Sequence, residues 1–147
     1  MFTLAKLTAL DAHAAAEIHR VAGALIPGYD TSLHSPAEFD AFYRDEVMQK
    51  DDLWGAFAGQ TLLGFIALLP GWIDHLYVTP ARHRTGIGTS LIALAQAMQP
   101  ELRLYTFQSN VAARAFYESH GFAIEEMTDG ARNEEKMPDL TYRWVRR

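Results

Sequence analysis

The chain contains no cysteine. This excludes a disulfide framework, a thiolate metal site and a cysteine nucleophile, and it fits a reducing compartment. Positive charge is scarce too: 13 Lys and Arg stand against 18 Asp and Glu, for a formal net charge of -5. No basic stretch exists to follow a nucleic-acid backbone or to lie on an anionic membrane, so neither partner is expected. Long apolar runs are missing as well. The longest, from Leu62 to Ile73, is interrupted by Gly64, Pro70 and Gly71 and is too short to span a bilayer. Lys6, Asp11 and Glu17 break up the first segment, which does not read as a signal peptide. A cytoplasmic protein is the expectation.

What is present is enough for a core. At 147 residues and 49% hydrophobic content, one domain over residues 1–147 is expected, with no linker, repeat or low-complexity stretch. Phe2 to Lys6 alternates weakly, as a short strand would. Thr8 with Asp11, and Ser35 with Glu38 behind Pro36, form capping boxes that open two helices. The first helix would bury Leu10, Ala14, Ile18, Val21 and Leu25 and stop by Pro27 and Gly28; the second would end near Lys50. From Leu53 the period becomes extended: LWGAFA and TLLGFIALL flank a Gly59-Gln60 hairpin, and WIDHLYV follows as a third strand. Ile87, Leu91, Leu94, Ala95 and Met98 mark one face of a third helix. LRLYTF is again a strand, Asn110 caps a fourth helix carrying Val111, Ala115, Phe116 and Tyr117, and Gly121 ends it. Phe122 to Met127 and Leu140 to Val145 supply two last strands. This order predicts an α/β fold with a mixed sheet of about seven strands and about four helices on its faces.

Between the third strand and third helix lies VTPARHRTGIGTS. A glycine-containing turn into a helix leaves backbone N–H groups free at the positive end of the helix dipole, which suits a pyrophosphate. The dinucleotide fingerprint is excluded, because Leu91 stands where a third glycine is needed and Gln108 where an acid would be; no Lys-Ser/Thr pair makes a phosphate-binding P-loop either. Taken alone, the turn has a second reading, a helix start whose glycines only allow close packing.

Two motifs together are more specific. Val78, Pro80, Gly86 and Gly88, followed after one strand by Asn110, Ala113, Phe116, Tyr117, Gly121 and Phe122, resemble the GNAT superfamily of acyl-CoA-dependent N-acetyltransferases. His83 departs from the pattern, standing where Gln or Arg is usual; a turn working through backbone N–H groups tolerates that. The resemblance implies acetyl-CoA as cosubstrate, no metal, and a pair of splayed strands holding the pantetheine arm like an added strand. It implies cofactor contacts at Tyr77, Val78, His83, Arg84, Thr85, Gly86, Ile87, Gly88, Thr89, Asn110 and Tyr117. Arg82 and Arg84 either keep the turn electropositive or are merely solvated. A homodimer is a further expectation from the resemblance.

In such chemistry a neutral amine attacks the thioester carbonyl, a backbone N–H near Tyr77 or Val78 stabilises the developing charge, and an acid protonates the departing sulfur. Tyr117 holds the family's position for that acid, although its spacing alone would make it a core aromatic. For the base, Asp74 and His75 compete, and regular alternation along a strand would let only one of them face the acceptor. Tyr29 and His34 in one loop, and Glu134, Glu135 and Asp139 in another, are candidates for holding the acceptor. The acidic NEEKMPD stretch would favour a cationic acceptor or be a solvated loop, and Asn133 to Tyr142 resembles an NEE-x-x-PD-x-x-Y ending of a bacterial-type GNAT group. A primary amine on a small molecule is the expected acceptor. A protein or peptide N-acetyltransferase and a non-catalytic acyl-CoA-binding or regulatory module are the alternatives.

Overall fold

A computed structural model describes all 147 residues. Seven strands form one sheet in the order β1-β2-β3-β4-β5-β7-β6. The strands are β1 (Thr3–Lys6), β2 (Asp52–Ala58), β3 (Thr61–Leu69), β4 (Trp72–Val78), β5 (Glu101–Phe107), β6 (Ala123–Met127) and β7 (Asp139–Val145). All neighbours run antiparallel except β4 and β5, which are parallel and register at one pair, Trp72 with Arg103. Beyond it the two strands part, so the edges of β4 and β5 that face each other keep unpaired backbone groups.

Helices cover both faces. The helix α1 (Ala12–Gly23) and a continuous helical stretch, made of α2 (Pro36–Phe42), a π-helical turn (Tyr43–Val47) and α3 (Met48–Lys50), lie on one side. They cover a core of Ala15, Ala16, Ile18, Phe39, Tyr43, Val47, Leu53, Phe65 and their neighbours. The other side holds α4 (Ile87–Met98) and α5 (Val111–Ser119) over Ile66, Ile73, Leu91, Ile92, Leu102, Leu104, Tyr117 and Tyr142. Pro36 begins α2 behind the Ser35–Glu38 capping box, with Glu38 N donating to Ser35 Oγ at 3.1 Å.

Element order, hairpin and caps follow the sequence reading, but two helix faces do not. In the first helix Ile18 is buried and Ala14 packs against the core as expected, but Leu10 is 94% exposed, and Val21 and Leu25 are exposed too. The face of α1 that meets the sheet is the stripe Ala12, Ala15, Ala16, His19 and Gly23, whose small residues let the helix approach closely. In α5 the buried side is Tyr117 flanked by Ala113 and Phe116, while Val111 and Ala115 face outward.

The strand β4 carries the decisive irregularity. Ala67 registers with His75 and Leu68 with Ile73, leaving Asp74 as an extra residue. Such a bulge resets alternation. Ile73 and Leu76, three apart, both join the α4-side core, whereas His75 and Tyr77 both pack against His19 of α1.

Candidate active site

The loop after β4 leads into a helix start with free backbone donors. Pro80–Arg82 form a 3-10 turn, Thr85 Oγ donates to the Arg82 carbonyl at 2.6 Å, and Arg84 takes the left-handed region at φ 63°. Gly86 then caps α4 at φ 89°, with open space where a side chain would stand. The first helical bond runs from Ser90 N to the Gly86 carbonyl at 3.0 Å, so the N–H groups of Ile87, Gly88 and Thr89 lie ahead of the hydrogen-bonded ladder. A Cβ on Gly88 would come within 3.1 Å of the Phe116 ring, so the two helices meet closely there. Thr89 Oγ1 lies 3.3 Å from His120 Nε2. His83 donates from Nε2 to the Val78 carbonyl at 2.9 Å, tying the exposed loop back to the end of β4.

Across the gap, Asn110 Oδ1 accepts from Ala113 N at 3.2 Å and caps α5. Tyr117, about two turns further on, is 8% exposed, and its hydroxyl makes no hydrogen bond within the chain while not being sealed from solvent. Burial, with a smaller contribution from Tyr77, pushes its phenol well above the usual range, so it keeps its proton. Tyr77 is raised in the same way, by burial first and then by the charges of Tyr29, Glu135 and Asp74. The structure therefore brings Tyr29, Tyr77, Tyr117 and Glu135 into one electrostatic neighbourhood.

Asp74 and His75 do not point to opposite faces, as regular alternation would require. The bulge sets both on the α1 side, with His75 Nε2 3.5 Å from Asp74 Oδ2. Burial lowers the His75 pKa and outweighs the nearby Asp74 charge, so the ring is neutral. Three neighbours escaped the sequence reading. His19 stacks on Tyr77 with ring centroids 4.1 Å apart, and its Nδ1 lies 2.6 Å from the hydroxyl of the fully buried Tyr43. Burial, then His75, depresses His19 to about 3, so it too is neutral. Asp51, at the end of α3, has an oxygen within 4.8 Å of oxygen and nitrogen atoms of Asp74 and His75. The helical spacing of Ala12, Ala15, Ala16 and His19 was the available signal for His19; nothing local marks Asp51 or Tyr43.

The acceptor-loop candidates divide. Tyr29 is raised by burial and then by Glu135 and Glu134, so the two loops meet around it. His34 has both nitrogens engaged, Nδ1 with Glu38 at 3.3 Å and Nε2 with Glu134, and forms a clasp between the loops. Asp139 faces inward instead. It accepts from Thr128 Oγ1 and from Asn133 Nδ2, while Asn133 also donates to the Met137 carbonyl at 2.7 Å. This makes Asp139 a brace of its own loop rather than a group facing an acceptor. The same tight turn explains Gly130, where a Cβ would stand 2.0 Å from the Met137 carbonyl oxygen. Tyr142 is fully buried with its hydroxyl donating to Glu118 at 2.5 Å.

The site thus combines a parting strand pair, a glycine-capped helix N-terminus and a buried phenol without a hydrogen bond in the chain. The acetyltransferase (GNAT) domain family matches residues 49–124, and the chain belongs to that family: it is an acetyl-CoA-dependent N-acetyltransferase. It is 29% identical over 102 residues to a peptidyl-lysine N-acetyltransferase, YiaC, of Escherichia coli, covering 69% of this chain and 68% of that protein. It is 35% identical over 86 residues to a spermidine N(1)-acetyltransferase of Thermoplasma acidophilum, covering 52% of this chain and 53% of that relative. Among solved structures, apo YjaB of Escherichia coli superposes with a TM-score of 0.80 at 20% identity, over 100% of this chain and 99% of that one. The PaiA N-acetyltransferase of Thermoplasma acidophilum, in complex with coenzyme A, gives 0.75 at 21% identity over 99% of both chains. At these identities the structural matches establish the fold.

Proposed function

We propose that the enzyme acetylates a primary alkylamine of a small cationic molecule, with Tyr117 as acid and Asp74 as base. One observation carries the reading: the gap between β4 and β5 opens between a free phenol, Tyr117, and a bulge that turns Asp74 and His75 onto the acceptor side. Acetyl-CoA, when bound, supplies an activated acetyl thioester whose sulfur leaves as a thiolate. The free N–H groups of Ile87, Gly88 and Thr89 fit its pyrophosphate, and the unpaired edges of β4 and β5 fit its pantetheine amides.

Asp74 suits the base better than His75. Its Oδ2 accepts no hydrogen bond within the chain, so a lone pair is free to take a proton, and the side chain is still 26% exposed, which leaves it reachable. Asp74 takes a proton from the acceptor's ammonium, freeing the nitrogen lone pair. A backbone N–H on the open edge of β4 stabilises the carbonyl oxygen as that lone pair attacks. Tyr117 gives its proton to sulfur and regains the equivalent one that the acylated nitrogen sheds.

The relatives include enzymes named for spermidine and for peptidyl lysine, and both groups are primary alkylamines. The loops over the acceptor face favour the smaller molecule here. Ser109 Oγ donates to the Pro27 carbonyl at 2.7 Å, a Cβ on Gly28 would stand 3.6 Å from the Met137 methyl, and His34 joins Glu134. Together they roof the site, and Glu134 and Glu135 on the roof suit a second ammonium. The test is acceptor-dependent release of free coenzyme A with monoamines, diamines, polyamines and lysine peptides. Polyamines with kcat/KM well above lysine peptides are the expected result; the reverse order assigns a protein acceptor, and binding without any acceptor-dependent thiol assigns a binding module.

A further inference from the structure

Both carboxylate oxygens of Asp51, and Oδ2 of Asp74, are shut off from solvent and accept no hydrogen bond. One ligand atom from each of these residues and from His75 lie within 4.8 Å of one another. Two carboxylates placed so, without donors, cannot both hold their charge at ordinary cost. The surrounding groups do not remove the conflict. Lys50 Nζ, 54% exposed, stands 3.9 Å from Asp74 Oδ2, too far for a hydrogen bond. His75 is neutral, and its Nε2 lies 3.5 Å from the same oxygen. From β2, Asp52 faces away into an ion pair with Lys6 at 3.1 Å. The phenols of Tyr43, in the π-helical turn, and Tyr77, in β4, are buried and uncharged, and each is raised further by Asp74. The groups on α3, the π-turn, β2 and β4 therefore leave the repulsion between the two carboxylates uncompensated, and one proton placed between them relieves it.

We propose that Asp51 and Asp74 act as one base, two carboxylates side by side that take the acceptor's proton and share it. This rests on the reading of Asp74 as base and adds Asp51 as a positioning residue behind it. The fully ionised pair carries two like charges in a shielded place, and the proton that leaves the ammonium nitrogen relieves their repulsion. The pair's proton affinity is thereby lifted from that of an ordinary carboxylate toward neutral pH, where a general base works best. Burial, then Asp74, raises the proton affinity of Asp51 in agreement. The bulge at Asp74 makes the arrangement possible, because it turns that carboxylate toward the end of α3 and toward the acceptor side together.

The test combines a titration of the unaltered protein with two variants. In the wild-type chain, 13C carboxyl resonances of Asp51 and Asp74 followed against pH should titrate together, with one step well above the usual carboxylate range. Two independent, ordinary titrations overturn the proposal without reference to any variant. Asp51→Asn keeps the shape and removes one charge, so the acid limb of kcat against pH should move about two pH units lower while the plateau falls. An unmoved limb in the folded variant gives Asp51 a structural role only. Loss of activity on chelation, restored by Mg2+ or Mn2+ alone, would place a cation rather than a proton between the carboxylates and also overturns it. Asp74→Asn separates the two readings. If that variant keeps the wild-type kcat and pH profile, the base assignment itself fails; if it is crippled while the carboxyls titrate ordinarily, only the sharing with Asp51 fails.

Discussion

His83 and Val78 are joined across five residues by a hydrogen bond, imidazole Nε2 to backbone carbonyl, at 2.9 Å. The bond closes the loop that leads from β4 to α4, so in the proposed site this side chain would shape the turn without having to touch the cofactor. The turn's own work falls to its backbone, through the left-handed Gly86 and the N–H groups that follow.

Substitutions in this loop should therefore separate support from contact. His83→Ala removes one hydrogen bond, a change of ~1 kcal/mol, and should weaken acetyl-CoA binding roughly fivefold. Gly86→Val forces a β-branched residue to φ 89° and fills space at the phosphate site, and should weaken binding far more than tenfold on strain of ~1–2 kcal/mol plus steric exclusion. Calorimetric titration with acetyl-CoA measures both, and equal losses would mean that the side chain holds the cofactor.

Tyr117→Phe removes only the hydroxyl, which bonds to nothing in the chain, from a ring packed against Phe116, Phe122 and Tyr142. Stability and acetyl-CoA affinity should stay close to wild type while kcat drops about a hundredfold, the usual range for losing a general acid. An unchanged kcat would remove Tyr117 from the chemistry.

The clasp between the two acceptor loops should respond to pH. Glu134, and after it Glu38, raises the His34 pKa above its ordinary value. A raised folded-state pKa means that the clasp contributes fully below the ordinary histidine pKa and loses its contribution as pH rises through the raised one. Hydrogen exchange of residues 128–138 should accordingly speed up, after correction for intrinsic rates, as pH rises from the ordinary histidine pKa through the raised one. In His34→Ala that pH dependence should disappear, with exchange fast throughout; a dependence surviving in the variant would locate the switch elsewhere.

The turn and caps of the proposed cofactor half were legible because their signals are local. Gly86 and Gly88 at a helix start, Asn110 as a cap and Gly121 as a terminator act through backbone bonds within a few residues, and spacing reports them directly. The acceptor half was not. Leu10, Val21 and Leu25 match a helical period as well as Ala12, Ala15, Ala16 and His19 do, and hydrophobicity alone favours the wrong stripe; the need for close approach to the sheet favours the small one.

From its residues alone, the chain determined the order of its elements, the glycine-capped turn into α4 and the place of Tyr117 on α5, because each depends on short-range hydrogen bonding and periodicity. Tertiary structure decided which side chains gather on the α1 side of β4. The register slip between β3 and β4 places Asp74 beside His75, and the packing of α3 then brings up Asp51. No local pattern announces a one-residue slip, since it arises from how two strands pair across the sheet, yet it moves a carboxylate from one face of the protein to the other.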